Sequence, residues 1–346
     1  MRTAIGLMSG TSMDGVDVAL IRTDGEGAID FCGAGFFPYQ DEDRALLRAA
    51  IAAAAPVKDR GARPGALAQA EAMVTERHIE AVRGFLSARR ADCEKIDVVG
   101  FHGQTVLHRP ERRLTMQIGD GEALAATLGI DVVYDFRAAD VCRGGQGAPL
   151  VPVFHGALAA AAGFDEPVAV INIGGVANVS YIAPRSEPIA CDAGPGNALI
   201  DDLMLLRAGV AMDHDGATAA KGKTDAKLLK ELLVHPYFAL PPPKSLDRND
   251  FEAGLVAPLS TEDAARTLTA FTAAAIARAL DHMPNAPRLA VICGGGARNP
   301  TLMGELTARL PCRVAAADAF GWSIDAMEAQ AFAYMAVRRQ KNLPIT

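Results

Sequence analysis

The chain opens on two apolar runs separated by a polar turn. Thr3 to Met8 and Val16 to Ile21 flank the segment Ser9-Gly10-Thr11-Ser12-Met13-Asp14-Gly15. Short apolar runs bounded by a Gly/Ser/Asp cluster predict a β-hairpin. Its tip, Gly10 to Gly15, has small residues, two hydroxyls and a carboxylate, so it suits a phosphate chain, with Asp14 or Asp17 beside a magnesium ion. An ordinary turn with no ligand is the alternative interpretation.

A second strand–turn–strand unit follows about half a chain later. Val168 to Ile173 leads into Gly174-Gly175 and then into Val176 to Ile182. Two glycine-rich hairpins, each at the start of about half of the chain, predict two lobes of similar topology facing each other across a cleft. Coincidence is the alternative, because hairpins are common. We expect lobes over residues 1–150 and 151–346, with the last helix as a candidate to pack back on the first lobe.

The remaining pattern alternates helical and strand periods and favours an α/β protein. Predicted helices cover 44–55, 67–89, 122–128, 198–207, 261–280 and 323–339, with a capping box at Ser260. Predicted strands cover 96–101, 114–118, 131–134, 189–192 and 288–292. A polar, glycine-rich loop is expected from Asp135 to Gly147.

Composition narrows the class of protein. A chain of 346 residues is longer than one hydrophobic core usually supports. An apolar fraction of 50% with 33 glycines suits an α/β enzyme and argues against disorder. The net charge of −7 and the absence of a basic run argue against nucleic acid or an anionic membrane as a partner. The six cysteines lack a C-x-x-C pair, which argues against a zinc site or a disulfide framework. No signal peptide or long apolar stretch is present, so we expect a cytoplasmic protein.

Two segments of the second half could carry chemistry. Asp192 follows a predicted strand and precedes a Gly-Pro-Gly turn, where a carboxylate could act as a general base or merely cap the next helix. Gly294-Gly295-Gly296 after a strand allows close approach of adenine or ribose, or forms only a tight turn. The chain has no P-loop, because the pattern G-x-x-x-x-G-K-[ST] does not occur, and the glycine turn is no Rossmann fingerprint, because position 299 is Asn299 instead of glycine.

In the first half, polar side chains gather at predicted strand ends and suit a polyhydroxylated or carboxylate-bearing ligand. They are His102, Gln104, Gln117, Asp135 and Arg137. A purely structural role is the alternative for the histidine. The run Asp213-His214-Asp215-Gly216 is interpreted as a solvated turn rather than a metal site.

Eight segments, in order along almost the whole chain, resemble the anhydro-N-acetylmuramic acid kinase family. The combination of the first, fifth and seventh is the most specific. The segments are Met8–Asp17, Gly100–Thr105, Gln117–Gly119, Asp135–Arg137, Gly144–Pro152, Asn172–Gly175, Asp192–Asn197 and Cys293–Asn299.

The resemblance implies a fold and a reaction. The fold is the actin/hexokinase/Hsp70-type ATPase fold, with two ribonuclease-H-like lobes around a nucleotide cleft. The reaction is the ATP- and water-dependent conversion of 1,6-anhydro-N-acetylmuramic acid to N-acetylmuramic acid 6-phosphate in recycling of cell-wall peptidoglycan. A homodimer is also implied.

The resemblance further implies roles for particular residues. The ATP-binding segment matches Gly10, Thr11, Ser12, Met13, Asp14, Gly15, Val16 and Asp17, with Gly174, Gly175 and Gly294–Gly296 as further nucleotide contacts and Asp14 and Asp17 as candidate Mg²⁺ ligands. Asp192 matches the catalytic aspartate, and Glu328 matches a carboxylate near the sugar. One departure is Lys244-Ser245-Leu246-Asp247-Arg248, where a Lys-Ser-Thr-Gly-Arg pattern is expected.

Two other functions remain open at this point. A conventional sugar kinase of the same fold would phosphorylate a free hydroxyl without consuming water. A non-catalytic, nucleotide-dependent binding module would need additional interaction surface, and 346 residues are nearly all used by two lobes.

Overall fold

A computed structural model describes residues 1–10, 12–89, 95–246, 250–251 and 253–345. Thr11, Cys93, Asp247 and Arg248 lie outside the described residues. The strands are β1 (Arg2–Ser9), β2 (Gly15–Thr23), β3 (Ile29–Pro38), β4 (Val98–Arg109), β5 (Leu114–Ile118), β6 (Val132–Tyr134), β7 (Val168–Ile173), β8 (Val176–Ile182), β9 (Ile189–Pro195), β10 (Leu289–Cys293) and β11 (Arg313–Ala316). The helices are α1 (Asp41–Ala54), α2 (Leu67–Ala88), α3 (Gly121–Leu128), α4 (Ala138–Cys142), α5 (Pro152–Ala161), α6 (Ala198–Ala208), α7 (Ala226–Leu232), α8 (Thr261–Leu280), α9 (Pro300–Arg309) and α10 (Met327–Gln340).

These elements form two compact units. The first contains residues 1–161 together with 326–346, and the second contains residues 162–325. The last helix, α10, therefore belongs to the first unit.

The sheet of the first unit begins with an antiparallel meander of β1, β2 and β3. Strand β4 returns parallel to β1, and β6 pairs parallel with β4. Strand β5 forms a hairpin with the second half of β4. A parallel return requires a long crossover, which α1 and α2 supply.

The second unit repeats this arrangement. Strands β7, β8 and β9 form the antiparallel meander, β10 returns parallel to β7, and β11 pairs parallel with β10. The two predicted hairpins are the first two strands of each sheet, so the same strand topology occurs in both halves of the chain.

Each unit has its own core. In the first, β1, β2 and β4 pack on α1 and α2 through buried apolar side chains such as Leu7, Leu47 and Phe101. In the second, β7–β10 pack on α8 and α9 around Ile171 and Ile292, and a separate aromatic cluster surrounds Phe271.

Local signals define several helix ends. The Asp120 carboxylate accepts the N–H groups of Glu122 and Ala123 at the start of α3. Ser260 caps α8 through the N–H of Asp263, as its sequence pattern predicts. Gly209 ends α6 in the left-handed conformation, at φ 68°.

Two sequence expectations are corrected by the structure. Strand β4 continues to Arg109 instead of ending at Phe101, so His102 and Gln104 lie within a strand. The expected loop 135–147 contains the short helix α4. Both stretches are rich in polar residues and glycine, so their sequence gives little sign of regular structure. The second half of β4 gains its strand conformation from pairing with β5. In the described part of the chain, no helix is both long and apolar enough to cross a membrane.

Helix α10 lies directly on β1 and β4 because glycines occupy the contact. A methyl group at Gly6 would overlap the carbonyl oxygen of Ala329, and one at Gly100 would overlap that of Phe332. Helix backbone and strand backbone therefore approach more closely than any larger residue permits.

We expect Gly6→Ala to destabilise the first unit by about 3 kcal/mol, because the added methyl group must displace the backbone of α10. The urea midpoint of unfolding, followed by far-UV circular dichroism, measures the effect. Gly27→Ala is the matched control, since no atom lies within 4 Å of a methyl group there. Equal midpoints for the two variants would contradict the close approach.

Candidate active site

The pairing of β1 with β4 is irregular next to His102, the first of the predicted ligand-binding residues of β4. Leu7 of β1 pairs with Phe101, but Ser9 pairs with Gln104, so β4 contains one extra residue at His102-Gly103. Gly103 has φ +71°, a conformation that favours glycine. Such bulges bend a strand and redirect its side chains, often beside functional sites.

Gln104 anchors the turn of the first hairpin. Its side chain is buried; its Oε1 accepts from the Ser9 hydroxyl at 2.8 Å, and its Nε2 donates to the Gly10 carbonyl at 3.0 Å. The Met13 N–H donates to the same carbonyl at 3.1 Å. The amide of Gln104 thus supports the backbone of the candidate phosphate turn, and its assignment to the sugar site stays a prediction.

The acidic residues of this turn differ in exposure. Asp14 is exposed and accepts a hydrogen bond from the Ser12 hydroxyl at 2.8 Å, whereas Asp17 is half-buried in β2. The described residues contain no group of three or more His, Cys, Asp or Glu side chains placed to hold a metal. Mg²⁺ keeps several waters and takes one or two carboxylates plus phosphates, so an exposed carboxylate here fits that ion.

His102 and Arg137 form a hydrogen-bonded pair in the first unit. The Arg137 Nε–H donates to His102 Nε2 at 3.1 Å, and His102 Nδ1 lies 2.7 Å from the Gly103 carbonyl oxygen. An arginine can only donate, so His102 must be neutral with its proton on Nδ1. Burial, reinforced by Arg137, holds the pKa of His102 well below 6.5. His102 therefore orients Arg137 instead of acting as a proton donor.

Helix α10 adds a carboxylate to this pair. Glu328 is half-buried in the first turn of α10, where burial raises its pKa and the positive charge of Arg137 opposes that rise. One turn later, the ring of Phe332 packs on His102 with centroids 4.7 Å apart. Arg137 also donates to the Gly147 carbonyl at 2.7 Å. Helix α10 thus brings Glu328 near Arg137 and His102, although Glu328 and His102 are about 225 residues apart in sequence.

A small cavity of about 110 Å³ adjoins His102. Gln117 and Asp135 line it, and each has one buried oxygen, Oε1 and Oδ1 respectively, with no hydrogen-bond partner among the described residues. Arg60 and Arg63, which the sequence analysis missed, also line it, and Arg60 forms an ion pair with Asp135 at 2.6 Å. Unpaired buried acceptors are costly, so the cavity is suited to a ligand with hydroxyl or N–H donors.

Asp192 lies at a second bulge, in β9. Asn178 of β8 pairs with Asp192 and Ala177 pairs with Gly194, which leaves Ala193 as the extra residue. The half-buried carboxylate accepts the Leu246 N–H on Oδ2 at 2.8 Å. The N-cap position of α6 is Asn197, so Asp192 does not cap that helix and the capping alternative is excluded.

Because the contact to Asp192 uses the backbone of Leu246, it does not depend on the side chain by which this position departs from the family pattern. Any residue other than proline supplies this N–H, so the Thr-to-Leu difference leaves the contact to Asp192 intact. The Leu246 side chain packs against the aromatic cluster of the second unit.

The glycine turns of the second unit meet at one end of its sheet. The Gly174 carbonyl accepts the Asn197 N–H at 2.8 Å, and that of Gly175 accepts the Gly196 N–H at 2.9 Å. A methyl group at Gly294, φ +75°, would overlap the side chain of Asn172. The structure therefore brings Gly174, Gly175, Gly294 and Gly295 together around Asn172 and Asn197.

Asn178 is a polar residue of this sheet that the sequence analysis missed. It pairs with Asn172 on one side and Asp192 on the other, so the three side chains share one face. The signal in the sequence is an asparagine on each side of the Gly-Gly turn.

Asp213, in the run interpreted as a solvated turn, is buried and accepts the N–H groups of Thr218 and Ala219, as a structural turn residue does.

The repeated topology defines the class of protein. Each unit has an antiparallel meander followed by parallel strands. The order is β3-β2-β1-β4-β6 in the first sheet, with β5 left out, and β9-β8-β7-β10-β11 in the second. Two such ribonuclease-H-like units in one chain confirm the actin/hexokinase/Hsp70-type ATPase fold expected from the sequence.

Comparisons with known proteins then identify the family. The family model for anhydro-N-acetylmuramic acid kinase matches residues 2–346. A protein of that name from Nitrobacter winogradskyi is 55% identical, with 100% of this chain and 95% of that protein covered. Another from Methylobacterium nodulans is 56% identical, with 99% and 94% covered. The chain therefore belongs to the anhydro-N-acetylmuramic acid kinase family.

Similar solved structures are more distant in sequence. An activator of the 2-hydroxyisocaproyl-CoA dehydratase from Clostridium difficile with bound ADPNP has a TM-score of 0.47 at 12% identity, covering 99% of this chain and 96% of that chain. A ROK family glucokinase from Streptomyces griseus in complex with glucose and AMPPNP has a TM-score of 0.38 at 14% identity, covering 98% and 99%.

We expect ¹⁵N NMR to show His102 neutral, with Nε2 unprotonated, from pH 8 to pH 5, because burial and Arg137 disfavour the imidazolium. The signal that is missing from the His102→Leu variant identifies this ring. Protonation of both ring nitrogens at pH 6 would show that Arg137 does not donate to Nε2.

Proposed function

We propose that this protein is an ATP-dependent kinase that hydrolytically opens 1,6-anhydro-N-acetylmuramic acid and phosphorylates O6. The products are N-acetylmuramic acid 6-phosphate and ADP. The observation that carries the proposal is the Asp192 carboxylate at the β9 bulge, held by the Leu246 N–H, in a chain of this kinase family. A half-buried carboxylate held within a strand by a backbone N–H is suited to act as a general base.

The chemistry of the substrate requires a water. O6 is tied to C1 in the anhydro bridge, so there is no free 6-hydroxyl to phosphorylate. Asp192 removes a proton from a water that attacks C1, as the base does in an inverting glycosidase. The C1–O6 bond breaks, and O6 attacks the γ-phosphorus of ATP while ADP leaves. The phosphoryl group takes the position that a proton from a general acid would otherwise occupy.

The residues around His102 and Arg137 in the first unit form the proposed sugar site. Arg137, oriented by neutral His102, is placed to bind the lactyl carboxylate through a charge-assisted hydrogen bond. Glu328 accepts hydrogen bonds from sugar hydroxyls. The buried oxygens of Gln117 and Asp135 face a cavity of about 110 Å³, which has room for a small donor group of the sugar.

The glycine turns are the proposed nucleotide contacts. Backbone N–H groups of Gly174 and Gly175 bind phosphate oxygens, and the Gly294–Gly296 turn permits close approach of the adenosine. In the first unit the segment Gly10–Asp17 binds phosphates, and Asp14 with Asp17 would hold Mg²⁺. A bound Mg²⁺ offsets negative charge on the transferring phosphoryl group. We also propose a cytoplasmic location and a homodimer.

We expect mass spectrometry of the product formed in ¹⁸O-labelled water to show one added phosphoryl group and one labelled oxygen at C1. Because water attacks opposite the bridge, the α-anomer should appear first by NMR. Phosphorylation without ¹⁸O would favour a conventional sugar kinase instead. The β-anomer as first product would contradict inversion.

We expect Asp192→Asn to lower kcat by about 10²- to 10⁴-fold, the usual contribution of a general base, with ATP binding retained. Asp202→Asn is the matched control, because it makes the same change at an exposed carboxylate on α6. Near-normal turnover of Asp192→Asn would place the base elsewhere.

A further inference from the structure

The main chain of Asp192 is held from two sides within the second unit. The Tyr237 hydroxyl donates to the Asp192 carbonyl at 2.7 Å, and the Asp192 N–H donates to the Lys244 carbonyl at 3.0 Å. The Leu246 N–H, two residues along from Lys244, holds the carboxylate itself. Three contacts therefore fix one residue, and two of them come from the segment 244–246.

Lys244 connects this segment to Tyr237. Its side chain is only 7% exposed, and its ammonium donates to the Tyr237 carbonyl at 3.1 Å. The ammonium also lies 4.5 Å from the centroid of the Tyr237 ring, within the range of a cation–π interaction. Burial lowers the pKa of Lys244 and raises that of Tyr237, so the phenol remains a donor at neutral pH.

The turn that carries Tyr237 is anchored in the core. The neighbouring Phe238 packs edge-on against Phe271 of α8, with ring centroids 5.7 Å apart, and also contacts Phe251 at 5.6 Å. A side chain held by a packed support has little freedom to move. The position of Asp192 is therefore coupled to the hydrophobic core through Tyr237.

We propose that Tyr237 and Lys244 are positioning residues that hold the Asp192 carboxylate in its reactive orientation. The closed arrangement Asp192–Tyr237–Lys244–Asp192 supports this role, because each member contacts the other two. The inference rests on the proposed role of Asp192 as general base. It adds two residues whose side chains act through Asp192.

Tyr237→Phe tests the proposal with the smallest change, since it removes one hydroxyl and keeps the ring beneath Lys244. We expect kcat to fall about 10-fold, with the KM for ATP and for 1,6-anhydro-N-acetylmuramic acid unchanged within about 2-fold. A displacement of 1 Å can cost about 10²-fold, and a loosened carboxylate should lose less. Lys244→Met, which keeps the stem and removes the ammonium, should give the same pattern.

Tyr181→Phe is the matched control. Tyr181 is a buried tyrosine of β8 whose hydroxyl has no hydrogen-bond partner among the described residues, so its removal should leave kcat unchanged. The melting temperature of each variant separates lost activity from lost folding.

Three results would overturn the proposal: a wild-type kcat for Tyr237→Phe, an increase in KM instead of a decrease in kcat, or a loss of activity that Tyr181→Phe shares. Asp192→Asn, assayed alongside, separates the two claims. If Asp192→Asn retains turnover, the base assignment fails. If it loses turnover while Tyr237→Phe does not, the positioning role alone fails.

Discussion

The close contact of the last helix with the first strand is the constraint on which the first unit depends. Gly6 and Gly100 let the backbone of α10 rest on β1 and β4, a separation that side chains would increase. The same helix carries Glu328 toward Arg137 and Phe332 onto His102. The packing that completes the core thus also assembles the proposed sugar site, and a change in either glycine affects both.

The two units share more than strand order. Each sheet has a register irregularity beside its candidate functional residues, at Gly103 in β4 and at Ala193 in β9. The groups that hold the candidate functional residues in place differ between the two units. In the first unit a buried neutral histidine orients an arginine, whereas in the second, backbone N–H and carbonyl groups and a tyrosine hydroxyl hold Asp192.

Local patterns predicted much of the fold but not the extent of every element. Both hairpins, the helix α2 and the Ser260 cap follow from apolar periodicity and capping residues. The continuation of β4 to Arg109 was not predicted, since its polar residues gain strand structure from pairing with β5. Arg60 was missed for a related reason. It is one of many arginines in the sequence, and only the fold places it at a cavity.

The sequence by itself determined the two repeated hairpins, the glycine turns and the family to which the chain belongs, because these depend on residue type and short spacing. Only the tertiary structure decided which residues support one another. Tyr237 and Lys244 lie about 50 residues from Asp192, and their pattern gives no sign of contact with it. Hydrogen bonds reach only about 3 Å, so such partnerships exist only after the chain has folded.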